Sequence, residues 1–168
     1  MKKNVNDKIV IEVNDLKKSF NGNVVLEKIN FKLFEGESLA IIGASGSGKS
    51  VLLKNIIGLL KPDSGSIKIN NKNIVNLPRV QKENLLLELG ITFQHGALFD
   101  SLRNWENIVF KVKNREKLSN KDAEILAVSI IEKLGLEPKI LNLYPSEISG
   151  GMQKRIAIAR AICGNPKI

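Results

Sequence analysis

Glycines, serines and one lysine are spaced in the first third of the chain as they are in phosphate-binding loops. The pattern G-x-x-x-x-G-K-[ST] is matched by Gly43-Ala44-Ser45-Gly46-Ser47-Gly48-Lys49-Ser50. A polyphosphate needs several backbone N–H groups directed into one concavity, and glycine lets the chain wrap tightly enough to supply them. In this pattern Lys49 reaches the β- and γ-phosphates, and the Ser50 hydroxyl ligates Mg²⁺. The sequence therefore predicts a P-loop that binds a nucleoside polyphosphate.

A second group of small residues, Ser149-Gly150-Gly151, stands at the start of the last predicted helix. It offers one hydroxyl and two glycine N–H groups at a helix N-terminus, which is the chemistry of a second phosphate cradle. A plain serine cap of the helix explains the same residues, and both interpretations stay open. One chain has no evident use for two cradles so far apart along its sequence.

Composition indicates a single folded domain. The chain has 168 residues, of which 43% are hydrophobic and 26% charged. No apolar run approaches the ~20 residues of a membrane helix, and residues 1–7 lack the apolar stretch of a secretory signal. The single Cys163 leaves no internal disulfide and fits a reducing compartment. We expect a protein of the cytoplasm or of the cytoplasmic face of a membrane.

The net charge of +9, from 26 Lys and Arg against 17 Asp and Glu, has two interpretations. Clustered basic residues would indicate a nucleic-acid surface. Here the basic residues are spread along the chain, without a basic tract and without interleaved aromatics. We interpret the charge as a solvated surface and expect no nucleic-acid partner.

The elements that must position these groups begin with strands. Residues 9–13 are a strand candidate, and residues 29–33 and 66–70 predict half-buried strands, since apolar and polar residues alternate in those two segments. The continuous apolar run at 39–42 predicts a strand covered on both faces, directly before the P-loop. After Lys49, residues 51–60 predict a buried helix.

Helical patterns dominate the rest of the chain. Helices are predicted at 78–88, at 119–135 and at 151–163, with a short strand at 91–93. The second of them has a start box at Ser119 and a glycine stop. Strands followed by a helical block predict an α/β core with a helical subdomain.

In their order along the chain, the P-loop and residues 146–155 resemble the motifs of ABC transporter ATP-binding subunits. The second stretch is similar to the family signature, usually written Leu-Ser-Gly-Gly-Gln. The resemblance covers essentially the whole chain. It implies an α/β P-loop fold, an ABC ATPase core with an antiparallel β part, a parallel sheet and a helical subdomain. The β-rich nucleotide-binding core is expected at 1–94, and the Q-loop and helical subdomain at 95–150. The signature helix and the start of the Walker B strand are expected at 151–168.

The resemblance also implies roles for single residues. In the family two subunits form a head-to-tail dimer, and the signature of one closes over ATP held by the P-loop of the other. Gln94 matches the Q-loop glutamine, which touches Mg²⁺ and the attacking water, while a polar strand-end residue remains the alternative. Phe20 stands where an aromatic stacks on adenine, and simple core packing remains the alternative.

The resulting predicted sites are as follows. The catalytic residues are Lys49 and Gln94, and the Mg²⁺ ligands are Ser50 and Gln94. The residues expected to bind ATP are Phe20, Gly43, Ser45, Gly46, Ser47, Gly48, Lys49, Ser50 and Val51, with Ser149, Gly150 and Gly151 acting on the ATP of the other subunit.

A finer resemblance involves residues 90–102 and 105–108, which look like the Q-loop region of Mla-type phospholipid-transport ATPases. Met152, where glutamine is more usual, agrees. The apolar run Ala97-Leu98-Phe99 is expected to dock the coupling helix of a transmembrane permease subunit. His95 follows the Q-loop glutamine, and we interpret it as a loop residue, not as the family's switch histidine.

The family's Walker B Asp, catalytic Glu and switch His have no counterpart within these 168 residues. Lys167 and Ile168 resemble the first residues of the Walker B strand, so the C-terminal part of the domain is expected to be missing. These residues alone are therefore not expected to hydrolyse ATP efficiently. Two alternatives remain: a non-hydrolysing nucleotide-binding remnant, and a non-transport ABC protein.

Overall fold

The structure is a computed structural model and describes residues 8–94 and 96–168. The interpretations of residues 1–7 and of His95 lie outside the described residues. The chain divides into two compact units, of which the first ends at Leu86 and the second begins at Leu87.

The first unit is built on an antiparallel sheet. Its strands are β1 (Ile9–Phe20), β2 (Asn23–Phe34), β3 (Ser64–Ile69) and β4 (Lys72–Asn73), in the order β2-β1-β3-β4. The alternation seen in the sequence places one face of the sheet inside, because successive side chains of a strand point to opposite faces. The fully buried side chains on this face are Val13, Leu16, Ile67 and Ile69.

β1 and β2 form a long hairpin whose tight turn is Asn21-Gly22. Both turn residues have positive φ, at 48° and 83°, as two-residue hairpin turns require. The pairing brings Phe20 opposite Asn23 at the tip, and its register is irregular on both sides of Lys18. The predicted strand at 9–13 is therefore part of a longer one, because the hairpin partner continues the ladder up to the turn.

Two helices complete the first unit: α1 (Lys49–Ile56) and α2 (Arg79–Leu86). The helix predicted at 51–60 begins earlier and ends earlier. Gly58 has φ 69°, a left-handed conformation that terminates helices. α1 is also buried on one side only, since Leu53 is 50% exposed.

The predicted strand at 39–42 is wrong. These residues lie outside any strand, and Ile42 is 91% exposed. A strand exists through hydrogen bonds to a neighbouring strand, and within the described residues the four antiparallel strands form their sheet without this segment. An apolar run alone therefore did not produce a strand here.

The strand predicted at 91–93 is also wrong, because these residues form no strand in the structure. A parallel contact occurs beside it, where the Gly90 N–H donates to the Ile168 carbonyl at 2.8 Å and the Ile168 N–H donates to the Glu88 carbonyl at 3.3 Å. This is the pattern of two residues, Leu89 and Ile168, paired in parallel. Residues 167 and 168 lie outside any strand of the structure, so the start of a strand at Lys167 stays a prediction.

The second unit is helical, with α3 (Asn104–Glu116), α4 (Asn120–Lys133), α5 (Gly150–Ile162) and two short 3₁₀ turns, Pro138–Asn142 and Pro145–Glu147. The predicted start of α4 is confirmed, since the Ser119 hydroxyl accepts from the Asp122 N–H at 3.2 Å. The helices enclose one apolar core, whose most buried members include Ile108, Val109, Ala123, Ala127, Ile131, Ile156 and Ala159.

Candidate functional site

The predicted P-loop lies directly before α1 in the first unit. Residues 43–47 are exposed, whereas Gly48 is buried and is the N-cap of the helix. Gly46 and Gly48 have φ values of 80° and 90°, in the region that favours glycine. The Ser47 N–H donates to the Ala44 carbonyl at 3.3 Å and closes a turn within the loop. The loop is therefore an open turn that leads into a helix N-terminus.

Gly48 is required by packing as well as by conformation. A Cβ atom at this position would lie 3.0 Å from both the Leu26 Cδ2 atom and the Val25 carbonyl oxygen. Strand β2 thus presses directly on the start of α1, and a side chain would push the two apart. At Gly43 a Cβ atom would lie 2.7 Å from the Ser47 Oγ atom, so the two ends of the loop are also close.

The loop carries positive charge and donors. The Lys49 ammonium donates to the carbonyl oxygens of Gly43 at 2.8 Å and Ala44 at 2.7 Å, which holds it against the start of the loop. The first turn of α1 contains no acidic residue. Among the described residues, no acceptor is bonded to the N–H groups of Gly46, Gly48 or Ser50. This set of donors fits an anion at a helix N-terminus.

Ser50 is exposed on the first turn of α1, and Val51 behind it is half-buried. Within residues 8–94 and 96–168, no three His, Cys, Asp or Glu side chains are grouped so that they could hold a metal ion.

Phe20 lies at the tip of the β1–β2 hairpin, and its side chain is 42% exposed. Core packing, the alternative left open by the sequence, is not what its environment shows. Leu26, the strand partner of Lys18, contacts Gly48 at the end of the P-loop through a methyl group. Phe20 lies two residues beyond Lys18 on the same hairpin. The structure thus brings the aromatic ring and the P-loop to one end of the first unit.

The other predicted residues belong to the second unit. Gln94 is exposed in a turn that the Gly96 N–H closes by donating to the Phe93 carbonyl at 2.8 Å. The structure places it in a turn after a segment that is not a strand, so it is not a polar residue at a strand end. Its side chain is open to solvent.

Ser149 is the N-cap of α5, and its hydroxyl accepts from the Met152 N–H at 3.3 Å. Gly150 and Gly151 are exposed on the first turn, and a Cβ atom at Gly150 would meet no atom within 4 Å. Capping is therefore the role seen in this chain. Among the described residues, no neighbouring atom demands glycine at 150.

Helix α5 also holds the segment that follows Gln94, a contact that the sequence analysis did not predict. The Arg160 guanidinium donates to the carbonyl oxygens of Ala97 at 2.7 Å and Gly96 at 2.5 Å. Burial lowers the pKa of Arg160 from its ordinary value. A Cβ atom at Gly96 would lie 3.4 Å from the Ala157 Cβ atom, so the segment packs closely on the helix. The signal in the sequence is an arginine flanked by alanines and isoleucines over residues 156–162.

Asn107 holds the other end of the same segment. It is fully buried, its side-chain oxygen accepts from the Phe99 N–H at 2.8 Å, and its amide donates to the Phe99 carbonyl at 3.0 Å. The Phe99 ring contacts the Phe110 ring at a centroid distance of 4.7 Å and remains 43% exposed. Residues 97–99 therefore form a fixed loop with an exposed aromatic side chain.

Known proteins resemble this chain over most of its length. Residues 26–168 match the sequence profile of the ABC transporter family. The chain is 40% identical over 155 residues to the protein TRIGALACTOSYLDIACYLGLYCEROL 3 of Arabidopsis thaliana chloroplasts, covering 92% of this chain and 44% of that protein. It is 39% identical over 166 residues to a probable ribonucleotide transport ATP-binding protein, mkl, of Mycobacterium tuberculosis, covering 95% and 44%. The chain thus spans less than half the length of these two relatives.

A solved structure shares the fold. It is a dimeric, post-hydrolysis state of the ATP-binding cassette MJ0796 bound to ADP and phosphate, 31% identical, with a TM-score of 0.82 over 93% of this chain and 70% of that one. The predicted fold class is confirmed by this likeness. In the described part of the chain, no helix is both long and apolar enough to cross a membrane.

Proposed function

The chain belongs to the ABC transporter family, and on that premise we propose that it binds Mg²⁺–ATP at the P-loop as the ATP-binding subunit of a transporter. The observation that carries the proposal is the open loop at residues 43–47, with the Lys49 ammonium held at its start and a helix N-terminus at its end. These groups supply a positive charge and fixed N–H donors for a polyphosphate.

Each residue has a distinct part in this proposal. Lys49 neutralises the outer phosphates, and Ser50 holds Mg²⁺, which when bound stabilises negative charge on the phosphate oxygens. Gly46 and Gly48 keep the loop free of side chains where the phosphates lie. The exposed Phe20 ring stacks on the adenine base, as its position on the hairpin next to the loop supports. Gln94 orients water and Mg²⁺ when the subunit is assembled.

We further propose that a second subunit completes the site. Gly150 and Gly151 are exposed at the N-terminus of a helix of 13 residues, and no atom of residues 8–94 and 96–168 occupies the space beside Gly150. This supports an approach of ATP held by a partner, with the helix dipole acting on its phosphates. The dimeric state of the MJ0796 cassette agrees with a two-subunit arrangement.

The proposed membrane partner is a permease subunit that contacts Ala97, Leu98 and Phe99, which places the protein at the cytoplasmic face of a membrane. The exposed Phe99 ring on a fixed loop supports this contact. A phospholipid is the proposed cargo, on the resemblance of residues 90–108 and Met152 to Mla-type ATPases. The names of the relatives differ: one names a galactolipid and the other ribonucleotide transport.

Equilibrium binding of Mg²⁺–ATP to the full-length protein tests the proposal. We expect Lys49→Ala to weaken binding roughly 10- to 100-fold, as the loss of a charge-assisted hydrogen bond predicts. Lys54→Ala is the matched control, because Lys54 is exposed on the last turn of the same helix. Equal affinity of the wild type and Lys49→Ala proteins for ATP would show that the P-loop is not the nucleotide site.

A further inference from the structure

Asp63 is hydrogen-bonded to three consecutive residues at the end of β1. Its N–H donates to the Lys17 carbonyl at 2.9 Å, and its two carboxylate oxygens accept from the Lys18 ammonium at 2.7 Å and from the Ser19 N–H at 2.6 Å. The next residue along the strand is Phe20. A single acidic side chain thus fixes the strand segment that leads to the exposed aromatic ring.

The strand ladders do not fix this segment by themselves. Pairing of β1 with β3 ends at Lys17 opposite Ser64, and in the part of the chain that the structure describes the Ser19 N–H bonds on that edge to the Asp63 carboxylate instead. On the other edge, the register against β2 slips on both sides of Lys18. The carboxylate therefore replaces the missing ladder at the point where the strand is least regular.

The Phe20 ring is held through Lys18. Side chains two residues apart in a strand lie on the same face, and the Lys18 ammonium lies 5.3 Å from the centroid of the Phe20 ring. Lys18 is largely buried, with 16% of its side chain exposed, while Phe20 remains 42% exposed. The ammonium is thus fixed between a carboxylate and one part of the ring, and the rest of the ring is open to a ligand.

We propose that Asp63 is a positioning residue for the base of a bound nucleotide: through Lys18 and Ser19 it holds the Phe20 ring in place for stacking. A ring that is already immobilised loses less freedom when a flat base stacks on it, so binding is tighter. The inference rests on the proposed binding of a nucleoside triphosphate at the P-loop. Asp63 acts on the base end of the ligand and leaves the phosphate end unaffected.

Calorimetric titration of the full-length protein with Mg²⁺–ATP and, separately, with Mg²⁺–tripolyphosphate separates the two ends. We expect Asp63→Ala to weaken ATP binding about threefold to tenfold, the size of one aromatic stacking contact, and to leave tripolyphosphate binding unchanged. Asp63→Asn keeps the side-chain volume and one hydrogen-bond acceptor, so it should weaken ATP binding less than Asp63→Ala does. In a Phe20→Ala background, Asp63→Ala should have no further effect. Glu35→Gln is the control, since it removes an exposed carboxylate that pairs with Lys8.

Three results would overturn the inference while leaving the P-loop as the nucleotide site. They are an equal loss for ATP and tripolyphosphate, an undiminished effect of Asp63→Ala in the Phe20→Ala background, and wild-type protein that binds the two ligands equally. Thermal melts establish whether each variant is folded. If Asp63→Ala does not fold, the same comparison of ATP with tripolyphosphate is made with Asp63→Asn. Failure of the wild type to bind either ligand would overturn the proposed function and this inference with it.

Discussion

The Arg160 guanidinium donates to the Ala97 carbonyl oxygen at 2.7 Å, which joins α5 to a loop 63 residues earlier in the chain. The same helix begins at Gly150, and its 13 residues span about 20 Å. Under the proposed function, one rigid element therefore carries both the exposed glycines that face the partner subunit and the arginine that holds residues 96 and 97. A displacement of the permease-contacting loop would reach the signature through this helix.

Arg160→Met tests this connection, because methionine keeps most of the apolar stem and removes the guanidinium. We expect the free energy of unfolding to fall by about 1–3 kcal/mol, the effect of removing a charged donor from the Gly96 and Ala97 carbonyl groups. Amide hydrogen exchange should speed up in residues 96–99. Arg160→Lys should restore only part of the protection, since an ammonium cannot reproduce the fork of a guanidinium.

Arg155→Met is the matched control. Arg155 lies on the same helix and also donates to backbone carbonyls, those of Leu134 at 3.4 Å and Gly135 at 3.2 Å. Its loss should accelerate exchange around residue 135 and leave residues 96–99 protected. Identical exchange maps for the two variants would mean that Arg160 stabilises α5 in general and does not hold the loop in particular.

Gly48→Ala should be more destabilising than Gly46→Ala. Both positions have positive φ, which costs an alanine roughly 1–2 kcal/mol. Only at Gly48 would the new Cβ atom also meet Leu26 and the Val25 carbonyl at 3.0 Å, whereas at Gly46 it would meet no atom within 4 Å. Overpacking adds about 1–3 kcal/mol. Urea unfolding of the two variants measures the difference, and equal stabilities would show that β2 does not press on the start of α1.

The contribution of Asp63 to stability should depend on pH in the acid range. The hydrogen bond from the Lys18 ammonium, and after it that from the Ser19 N–H, lowers the pKa of the Asp63 carboxyl from its ordinary value. Folding therefore favours the ionised carboxylate, so its contribution is present above the unfolded pKa and is lost as pH falls through the folded pKa. Wild type and Asp63→Asn should differ by a constant free energy of unfolding from pH 5 to 8. The difference should shrink below about pH 4, near the ordinary pKa of aspartate.

Urea titrations at several pH values measure this effect. A difference between wild type and Asp63→Asn that grew as the pH was lowered would contradict the assigned hydrogen bonds. So would a difference that changed between pH 6 and 8, where an aspartate with a lowered pKa does not titrate.

Cys163 should be an unreactive thiol. Burial, and after it the Glu116 carboxylate, raises the pKa of Cys163 to about 11. Since the thiolate is the reactive form, we expect modification by a disulfide reagent at pH 8 to be on the order of 100-fold slower than that of an unfolded control. The same reaction in denaturing urea supplies that control. Labelling of the native protein as fast as in urea would show that the thiol is open to solvent.

Local signals in the sequence were read correctly. The Ser119 cap and the Ser149 helix start each depend on neighbouring residues, and the structure has both. The glycines at 46 and 48 follow the same rule, because the backbone of the loop takes positive φ there, while nucleotide binding by residues 43–50 stays a prediction. Short-range conformational demands of this kind are written directly into residue type and spacing.

Strand formation was read less well. The apolar run at 39–42 looked like a buried strand, and Ile42 is instead 91% exposed. Whether an apolar run becomes a strand depends on a neighbouring strand that offers hydrogen bonds, and such a neighbour lies elsewhere in the sequence. The early end of α1 at Ile56 depended on the left-handed Gly58, which the sequence pattern did not single out.

The sequence by itself thus determined the positive-φ glycines of residues 43–50 and the serine caps of α4 and α5, because each is specified by residues within a few positions of one another. Only the tertiary structure decided that Phe20 is exposed at the tip of its hairpin, that Asp63 fixes the strand before it, and that Arg160 holds Ala97. These contacts join segments tens of residues apart, such as Asp63 with Ser19 and Arg160 with Ala97. Such pairs meet only after the chain has folded, and no local pattern of residue types encodes them.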